Sequence, residues 1–231
     1  GALRVQAAQP IKNYAEVRED YAARGLTGAP ADAVYIFEAE DAAAYTNDVT
    51  IRRENSNDIT TTPYSATEKW LNIYGGTRWD TGNQSVTFNI EVKKDGLYKL
   101  ALHACQNVND GLPVYRQIAI DGEVPFAEML AYQFPYSKFD TFTLADESGE
   151  PFLFYLEAGQ HTLTMTVKLG DMAPIASSLR EDMLLLSAIQ LAINKLTGNE
   201  VDANYDYEFF TKIPTLEEDL QTLSESLQWK I

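Results

Sequence analysis

The sequence predicts a mainly β fold: a jelly-roll β-sandwich with an N-terminal helix and a C-terminal helical appendage. Three observations predict it. Apolar residues alternate with period two through the middle of the chain, Asp-Gly pairs and lone glycines separate the runs, and the spacing turns helical at both ends. Many short antiparallel runs without helices between them mean a sandwich or jelly roll.

Residues 10–25 have helical spacing. Asn13 can cap, Glu16 follows three residues later, Tyr14, Val17 and Tyr21 share one face, and Arg24-Gly25 is a stop. Thr27-Gly28-Ala29-Pro30 then breaks the pattern. From residue 34 to about 169 the period is two. Val86, Phe88, Ile90 and Val92 line one face, Lys94-Asp95-Gly96 turns, and Tyr98, Leu100, Leu102 and Ala104 resume the alternation. Residues 117–120 form a strand closed by Asp121-Gly122, a hairpin signal. Phe152, Phe154 and Leu156 make another, Gly159 turns it, and Leu163, Met165, Val167 and Leu169 return.

The last third is helical again. Ser178-x-x-Glu181 reads as a capping box ahead of Leu179, Met183, Leu186, Ile189, Ile193 and Leu196, with Gly198 as the stop. Pro214-Thr215-x-x-Glu218 opens a further helix carrying Leu216, Leu220, Leu223 and Leu227. Three parts are therefore expected: a helical segment and linker over 1–31, a sandwich over 32–172, and a helical appendage over 173–231 that packs its apolar faces on the sandwich or another domain.

Composition narrows the partners. The 231 residues carry a formal charge of −16 and a pI near 4.4, so nucleic acid and anionic membrane surfaces are disfavoured. Hydrophobic residues reach 45% and aromatics 11%, a globular composition with 13 tyrosines suited to strands and to sugar- or protein-facing surfaces. Cys105 stands alone, so no intrachain disulfide forms. No run of eighteen apolar residues occurs, which argues against direct membrane insertion, and Gly1 does not open a signal peptide. The chain reads as one from which a targeting segment has been removed.

Catalysis is not expected. His103 and His161 are the two histidines, and a His103/Cys105 pair on one strand lacks a third group to orient it. Nucleophile-elbow, Walker, dinucleotide and zinc-protease signatures are missing from the sequence. Sugar recognition fits better, because it needs flat aromatic faces beside planar polar groups. Trp79, Tyr74, Arg78, Asn107, Asn109 and Tyr115 come from segments that can converge at one end of a sandwich, and Trp70 and Tyr64 are of the same kind. Against this, each tryptophan is as readily a core or rim residue, and Asn109-Asp110-Gly111 is more simply a turn. The aromatic run Phe126, Tyr132, Phe134, Tyr136 and Phe139 reads as a loop packed over a sheet or a contact for another domain. Tyr205, Tyr207, Phe209 and Phe210 suggest a docking surface.

Residues 34–40 read as the first strand, with Val34 and Ile36 directed to the core. Glu38 and Glu40, at i and i+2, then lie about 7 Å apart on one face. Two such carboxylates repel unless a cation intervenes, and Ca²⁺ is the natural one. The alternative is that both reach solvent or pair with Arg52 or Arg53.

A resemblance rests on these residues. Tyr35-Ile36-Phe37-Glu38-Ala39-Glu40-Asp41 resembles the opening strand of carbohydrate-binding module families six and thirty-five, β-jelly rolls whose Glu-x-Glu pair binds a structural Ca²⁺. The Gln106-Asn107 loop, the strand led by Arg116 and ending in Asp121-Gly122, and residues 156–163 resemble later parts of those modules. Nearly the whole chain is similar to the module that accompanies large extracellular solute-binding proteins of bacterial ABC transporters. The segments that carry it are Leu71-Asn72 to Gly75-Gly76 and Trp79, Val114-Tyr115-Arg116 to Pro125-Phe126, Phe134-Pro135-Tyr136-Ser137, Phe154-Tyr155-Leu156, and Leu196-Thr197-Gly198 to Asp206-Tyr207. One departure stands out: the final strand that gives those modules a further metal carboxylate has no counterpart after Thr215.

The resemblance adds Arg116 to the ligand set and implies a non-catalytic, extracellular, cell-surface module of a bacterium. Its partners would be an oligo- or polysaccharide and the neighbouring domains of a solute-binding protein. The other expectation is a structural or docking sandwich without glycan binding. A jelly-roll lyase or hydrolase, a third reading, would need a cleft lined by perturbed carboxylates.

Overall fold

The computed structural model describes residues 10–108, 110–198, 201–202 and 204–228. The chain divides into two compact units, Gly1–Gly170 and Asp171–Ile231. The first opens with α1 (Tyr14–Ala23), whose Asn13 side chain accepts from the Glu16 N–H while Glu16 reaches back to the Asn13 N–H, the capping box the sequence predicts. Val17 is buried, and Tyr14 packs its ring 4.9 Å from Phe126 and 4.7 Å from Phe152. The helix is thereby tied to the sandwich, a link the Ala127 N–H to Lys12 carbonyl bond reinforces.

A four-residue helix, α2 (Ala39–Ala42), follows, then β1 (Ala43–Thr46), β2 (Arg53–Glu54), β3 (Ile73–Tyr74), β4 (Ser85–Val92), β5 (Gly96–Tyr98), β6 (Ala101–Gln106) and β7 (Val114–Ile120). The sandwich is completed by β8 (Tyr132–Phe134), β9 (Ser137–Thr143), β10 (Phe154–Leu156) and β11 (Gly159–Lys168). One layer is a five-stranded antiparallel sheet in the order β1-β4-β11-β7-β8; the pairs β10-β5 and β6-β9 form the other. The alternating faces of β4 (Val86, Phe88, Ile90, Val92) and β11 (Leu163, Met165) meet Tyr98, Phe154 and Leu156 in one buried cluster. The mainly β, jelly-roll class read from the periodicity is the class observed.

Strand partners differ from the turns the sequence suggests. Lys94-Asp95-Gly96 joins β4 to β5, and Glu157-Ala158 joins β10 to β11, yet each link passes from one layer to the other. They are arches, not hairpins. Gly96 permits its arch because a Cβ there would stand 2.8 Å from the Ala29 Cα, where residues 27–29 run beside β5. Asp121 and Gly122 both take positive φ (52° and 83°), the geometry of a tight two-residue turn, and Ile120 and Glu123 close it.

Three local expectations are corrected. Residues 34–38 form no strand: Val34 and Ile36 are 73% and 82% exposed, and the chain turns into α2. The Ala-rich stretch after Glu38 favours a helical turn, closed by the Asp41 and Ala42 N–H groups on the Glu38 carbonyl. Leu169 points to solvent, beyond the end of β11. In the second unit, α3 (Ala173–Thr197) starts well before Ser178 because Pro174 occupies its first turn, so Ser178 is interior and caps nothing.

Gly198 ends α3 as expected; α4 (Phe209–Lys212) and α5 (Leu216–Gln228) complete the unit. α5 runs back along α3, with Ser226 Oγ 3.4 Å from Ser178 Oγ. No described helix is long and apolar enough to cross a membrane.

Candidate functional site

The segment between β2 and β3 is a long loop organised by one side chain. Asn72, 5% exposed, accepts the Ser56 N–H at 2.7 Å and donates to the Ser56 carbonyl (3.0 Å), Thr61 Oγ1 (2.8 Å) and the Pro63 carbonyl (2.9 Å). A planar amide with both donors and its acceptor engaged cinches some sixteen residues of chain. Asp58 adds a local turn, taking the Thr60 N–H and hydroxyl. Asn55 Nδ2 holds the Trp70 carbonyl at 2.8 Å. With its backbone so fixed, the loop turns Ile59, Tyr64, Trp70 and Leu71 to solvent; Tyr64 and Trp70 are 46% and 45% exposed.

This loop touches the outer face of the β6-β9 pair. His103 Nε2 lies 3.2 Å from Thr60 Oγ1, and its Nδ1 lies 3.2 Å from Thr141 Oγ1. The imidazole stacks on Phe139 with centroids 5.6 Å apart. The Thr60 bonds, and then the nearby His103 and Lys138, hold the Asp58 carboxyl below its ordinary range. The result is an exposed face combining aromatic rings, hydroxyls and a carboxylate.

Trp79 and Tyr74 serve a different purpose. Both are half-buried and meet Phe88, with centroids 6.4 and 6.2 Å away. The Arg116 guanidinium lies 5.1 Å over the Trp79 ring and donates to the carbonyls of Trp79 (2.9 Å) and Tyr115 (3.0 Å). Burial pulls the Arg116 pKa down to about 10, against a smaller upward pull from Asp80, and it stays charged at neutral pH. Gly75 lets the chain pass under Trp79, since a Cβ would sit 3.2 Å from the indole. The expected ligand residues therefore separate. Trp79, Tyr74 and Arg116 form a wall, and Tyr115 is buried at 7% exposure. Arg78 is exposed and bound to Glu54 at 2.8 Å. Asn107 is exposed on the loop after β6, and Asn109 lies outside the described residues.

The carboxylates Glu38 and Glu40 do not lie side by side on a strand. Glu38 is exposed at the start of α2, whereas Glu40, inside it, is only 6% exposed. Burial raises the Glu40 carboxyl pKa, and the Glu38 and Asp41 charges add to it. Asp41 pairs with Arg53 at 3.3 Å. Glu38 and Asp41 border a shallow groove of ≈ 390 Å³ with Phe37 and Asn89. Among the described residues, no three His, Cys, Asp or Glu side chains converge as a metal-binding group.

The second histidine is a structural clip. His161 Nδ1 meets Asp121 Oδ2 at 2.6 Å and Nε2 meets the Glu157 carbonyl at 2.7 Å. A shallow cavity of ≈ 240 Å³ beside it, lined by Tyr21, Asp121, Glu123 and Tyr155, holds no nucleophile–base pair. The aromatic run 126–139 is chiefly interior: Phe126 and Phe134 are buried and Tyr132 packs on them. What sequence reading passed over is the Asn72 cinch and the His103–Phe139 face. The Leu71-Asn72 pair stood among the resembling segments, but its hydrogen bonds reach back up to sixteen residues and leave no local pattern.

Comparison with known proteins gives two kinds of likeness. Residues 174–230 match the family described as bacterial solute-binding protein, 4-helix bundle domain. No curated protein matches. Among solved structures, the chain is similar to a cycloisomaltooligosaccharide glucanotransferase of Paenibacillus sp. complexed with cycloisomaltoheptaose (TM-score 0.39, 19% identity, 68% of this chain and 20% of that one). It is also similar to a GH26-CBM35 β-(1,4)-mannanase of Podospora anserina (0.34, 18%, 57% and 24%). A family 35 carbohydrate-binding module from an environmental isolate matches at 0.32 and 10% identity, over 54% of this chain and 82% of that one. The chain spans about a fifth of the glucanotransferase and a quarter of the mannanase.

Proposed function

We propose that this chain is a non-catalytic, extracellular carbohydrate-binding module belonging to a bacterial solute-binding protein of an ABC transporter. The observation that carries the proposal is the Asn72-cinched loop, which presents Tyr64 and Trp70 while docking beside the hydroxyl-flanked His103–Phe139 face. Exposed aromatic faces stack on sugar C–H surfaces, and threonine hydroxyls and a carboxylate pair with sugar hydroxyls. Arg78 and Asn107 are the accessible members of the set first expected to contact ligand; the Trp79–Arg116 wall supports them. The helical match at residues 174–230 supports the solute-binding-protein part of the assignment. In this reading the second unit contributes α3 and α5 to a four-helix bundle of the solute-binding protein.

A glycan array on the purified chain tests the proposal, with Trp70→Ala and Trp79→Ala in parallel. Trp70→Ala is expected to lose binding by about fivefold or more at unchanged stability, one stacked ring being worth roughly 1 kcal/mol. Trp79→Ala is expected to lower stability. A blank array from folded protein refutes glycan binding and leaves the docking function.

Calcium remains part of the proposal through Glu40, whose burial among acidic neighbours is relieved by a cation. In this reading Glu38 and Glu40 would be its carboxylate donors, although among the described residues no third His, Cys, Asp or Glu joins them in a cluster. A thermal midpoint that rises with Ca²⁺ and falls with chelator supports this; identical midpoints remove calcium.

A further inference from the structure

One strong bond fixes where the protons sit around His103. Thr60 Oγ1 donates to Asp58 Oδ1 at 2.6 Å, and the Thr60 N–H reaches the same oxygen at 2.9 Å. The Asp58 carboxyl is held below its ordinary range, first by those Thr60 bonds, so at neutral pH it is a charged acceptor. A hydrogen bond to a charged acceptor is about twice as strong as one between neutral groups. The single Thr60 hydroxyl proton is therefore committed to Asp58, and its oxygen accepts from His103 Nε2, 3.2 Å away. Nε2 must then carry a proton. In a neutral imidazole the other nitrogen is bare, so Nδ1 takes the proton of Thr141 Oγ1 at 3.2 Å. Thr141 is exposed on β9, and with its proton turned inward it offers solvent only lone pairs.

We infer that this chain of bonds sets the ligand class of the face, with His103 as the specificity-determining residue: neutral sugars are taken and uronic acids refused. The inference rests on the carbohydrate reading above and names its substrate class. A sugar hydroxyl can donate to the Thr141 oxygen, whereas a carboxylate has no proton to give and sets lone pairs against lone pairs. The Asp58 charge acts in the same direction. Phe139, stacked on the imidazole, and the pairing of His103 opposite Thr141 hold the ring in place. Protonating His103 reverses the wiring. Nδ1 then donates to Thr141, whose own proton turns outward and can meet a carboxylate. The charged and titratable groups about this ring are Asp58 from the loop, Lys138 and Asp140 from β9, and Cys105 from β6. Asp140 takes the Thr141 N–H at 2.7 Å, and burial, then Asp58, push the Cys105 thiol up, so it stays protonated.

Two measurements on the whole chain decide the matter. Nitrogen-15 NMR of the imidazoles is expected to show neutral His103 protonated on Nε2. Thr60→Val is expected to raise the Nδ1-protonated fraction, and Thr60→Ser to leave it unchanged. An array then carries matched oligosaccharides that differ only at C6: glucose against glucuronate, galactose against galacturonate and mannose against mannuronate. It is read in about 1 M salt, where a Debye length of roughly 3 Å removes the general repulsion of anions. Above the midpoint of the His103 titration, followed in the same spectra, the neutral member of the bound pair is expected to bind about fivefold tighter. Below that midpoint the gap is expected to close. Thr141→Val is expected to make the ratio independent of pH, and Thr141→Ser to restore the dependence. Neutral His103 protonated on Nδ1, or a wild-type ratio that is flat with pH, overturns the inference and leaves the carbohydrate reading standing. A blank across the array overturns the carbohydrate reading and the ligand class with it.

Discussion

The two units solve the same burial problem differently. In the sandwich, seventeen buried residues from both layers and α1 form a single cluster, with Phe126, Phe154, Ile118 and Val86 almost wholly removed from water. In the helical unit, the described residues reaching comparable burial are Asp182, Ile189, Thr197 and Leu216, while Met183 and Leu184 are 69% and 67% exposed. Two facing sheets enclose a core between them. Two helices touch along one line and leave their flanks wet. The sandwich thus encloses its own core, whereas the helical pair leaves most of its apolar side chains in contact with water.

Substitutions test that contrast most severely at matched apolar sites. Phe154→Ala is expected to cost about 3–5 kcal/mol, read as a fall in denaturation midpoint of the sandwich, because it opens a cavity at a site 1% exposed. Met183→Ser is expected to change the stability of the isolated chain by no more than about 0.5 kcal/mol. Equal costs at the two sites would erase the distinction.

An intermediate effect belongs to the loop. Asn72→Ala strips partners from the Ser56 N–H and from the Ser56 and Pro63 carbonyls, and is expected to cost about 1–3 kcal/mol. Glycan affinity should fall with it although Trp70 is untouched. Proteolysis within residues 55–71, sampled before and after the change, reads the loop directly.

The smallest effect is at the His161–Asp121 clip. Burial lowers the His161 pKa, but the Asp121 bond and the Glu157 carbonyl outweigh it and the net shift is upward from 6.5. Burial raises Asp121, but the bonds from His161 and Thr162 bring it net below 3.8. The histidine's contribution is full below its ordinary pKa and fades as pH climbs through the raised one. The aspartate's is full above its ordinary pKa and fades as pH falls through the lowered one. The stability lost in His161→Ala is therefore expected to be greatest between about pH 4 and 6.5, at roughly 0.5–1 kcal/mol after solvent screening. Denaturant midpoints across that range measure it, and a pH-independent difference would remove the clip's electrostatic role.

How far these features were legible follows from their range. The β4 and β11 faces, the Asn13–Glu16 box and the Gly198 stop rest on residues a few positions apart, so local pattern was sufficient for each. The opening strand failed because alternating apolar residues at 34 and 36 compete with an alanine-rich helical turn, and periodicity over so short a run does not separate them. The Ser178 box failed because Pro174 set the helix start first. At the candidate site, aromatic residue types pointed to Trp79 and Trp70 alike. Their roles diverge because Phe88 and Arg116 cover one indole, whereas among the described residues no ring or guanidinium stacks on the other, which is 45% exposed.

By itself the sequence determined the jelly-roll class, the helical ends, the turn at Asp121-Gly122 and a strongly negative net charge, because periodicity, capping and charge are properties of the chain before it folds. Tertiary structure alone decided that β4–β5 and β10–β11 are arches between layers. It also decided that Trp79 is a wall and Trp70 a surface, and that His103 joins a loop forty-three residues away. Those outcomes depend on which strand lies beside which, and no local alternation encodes a partner.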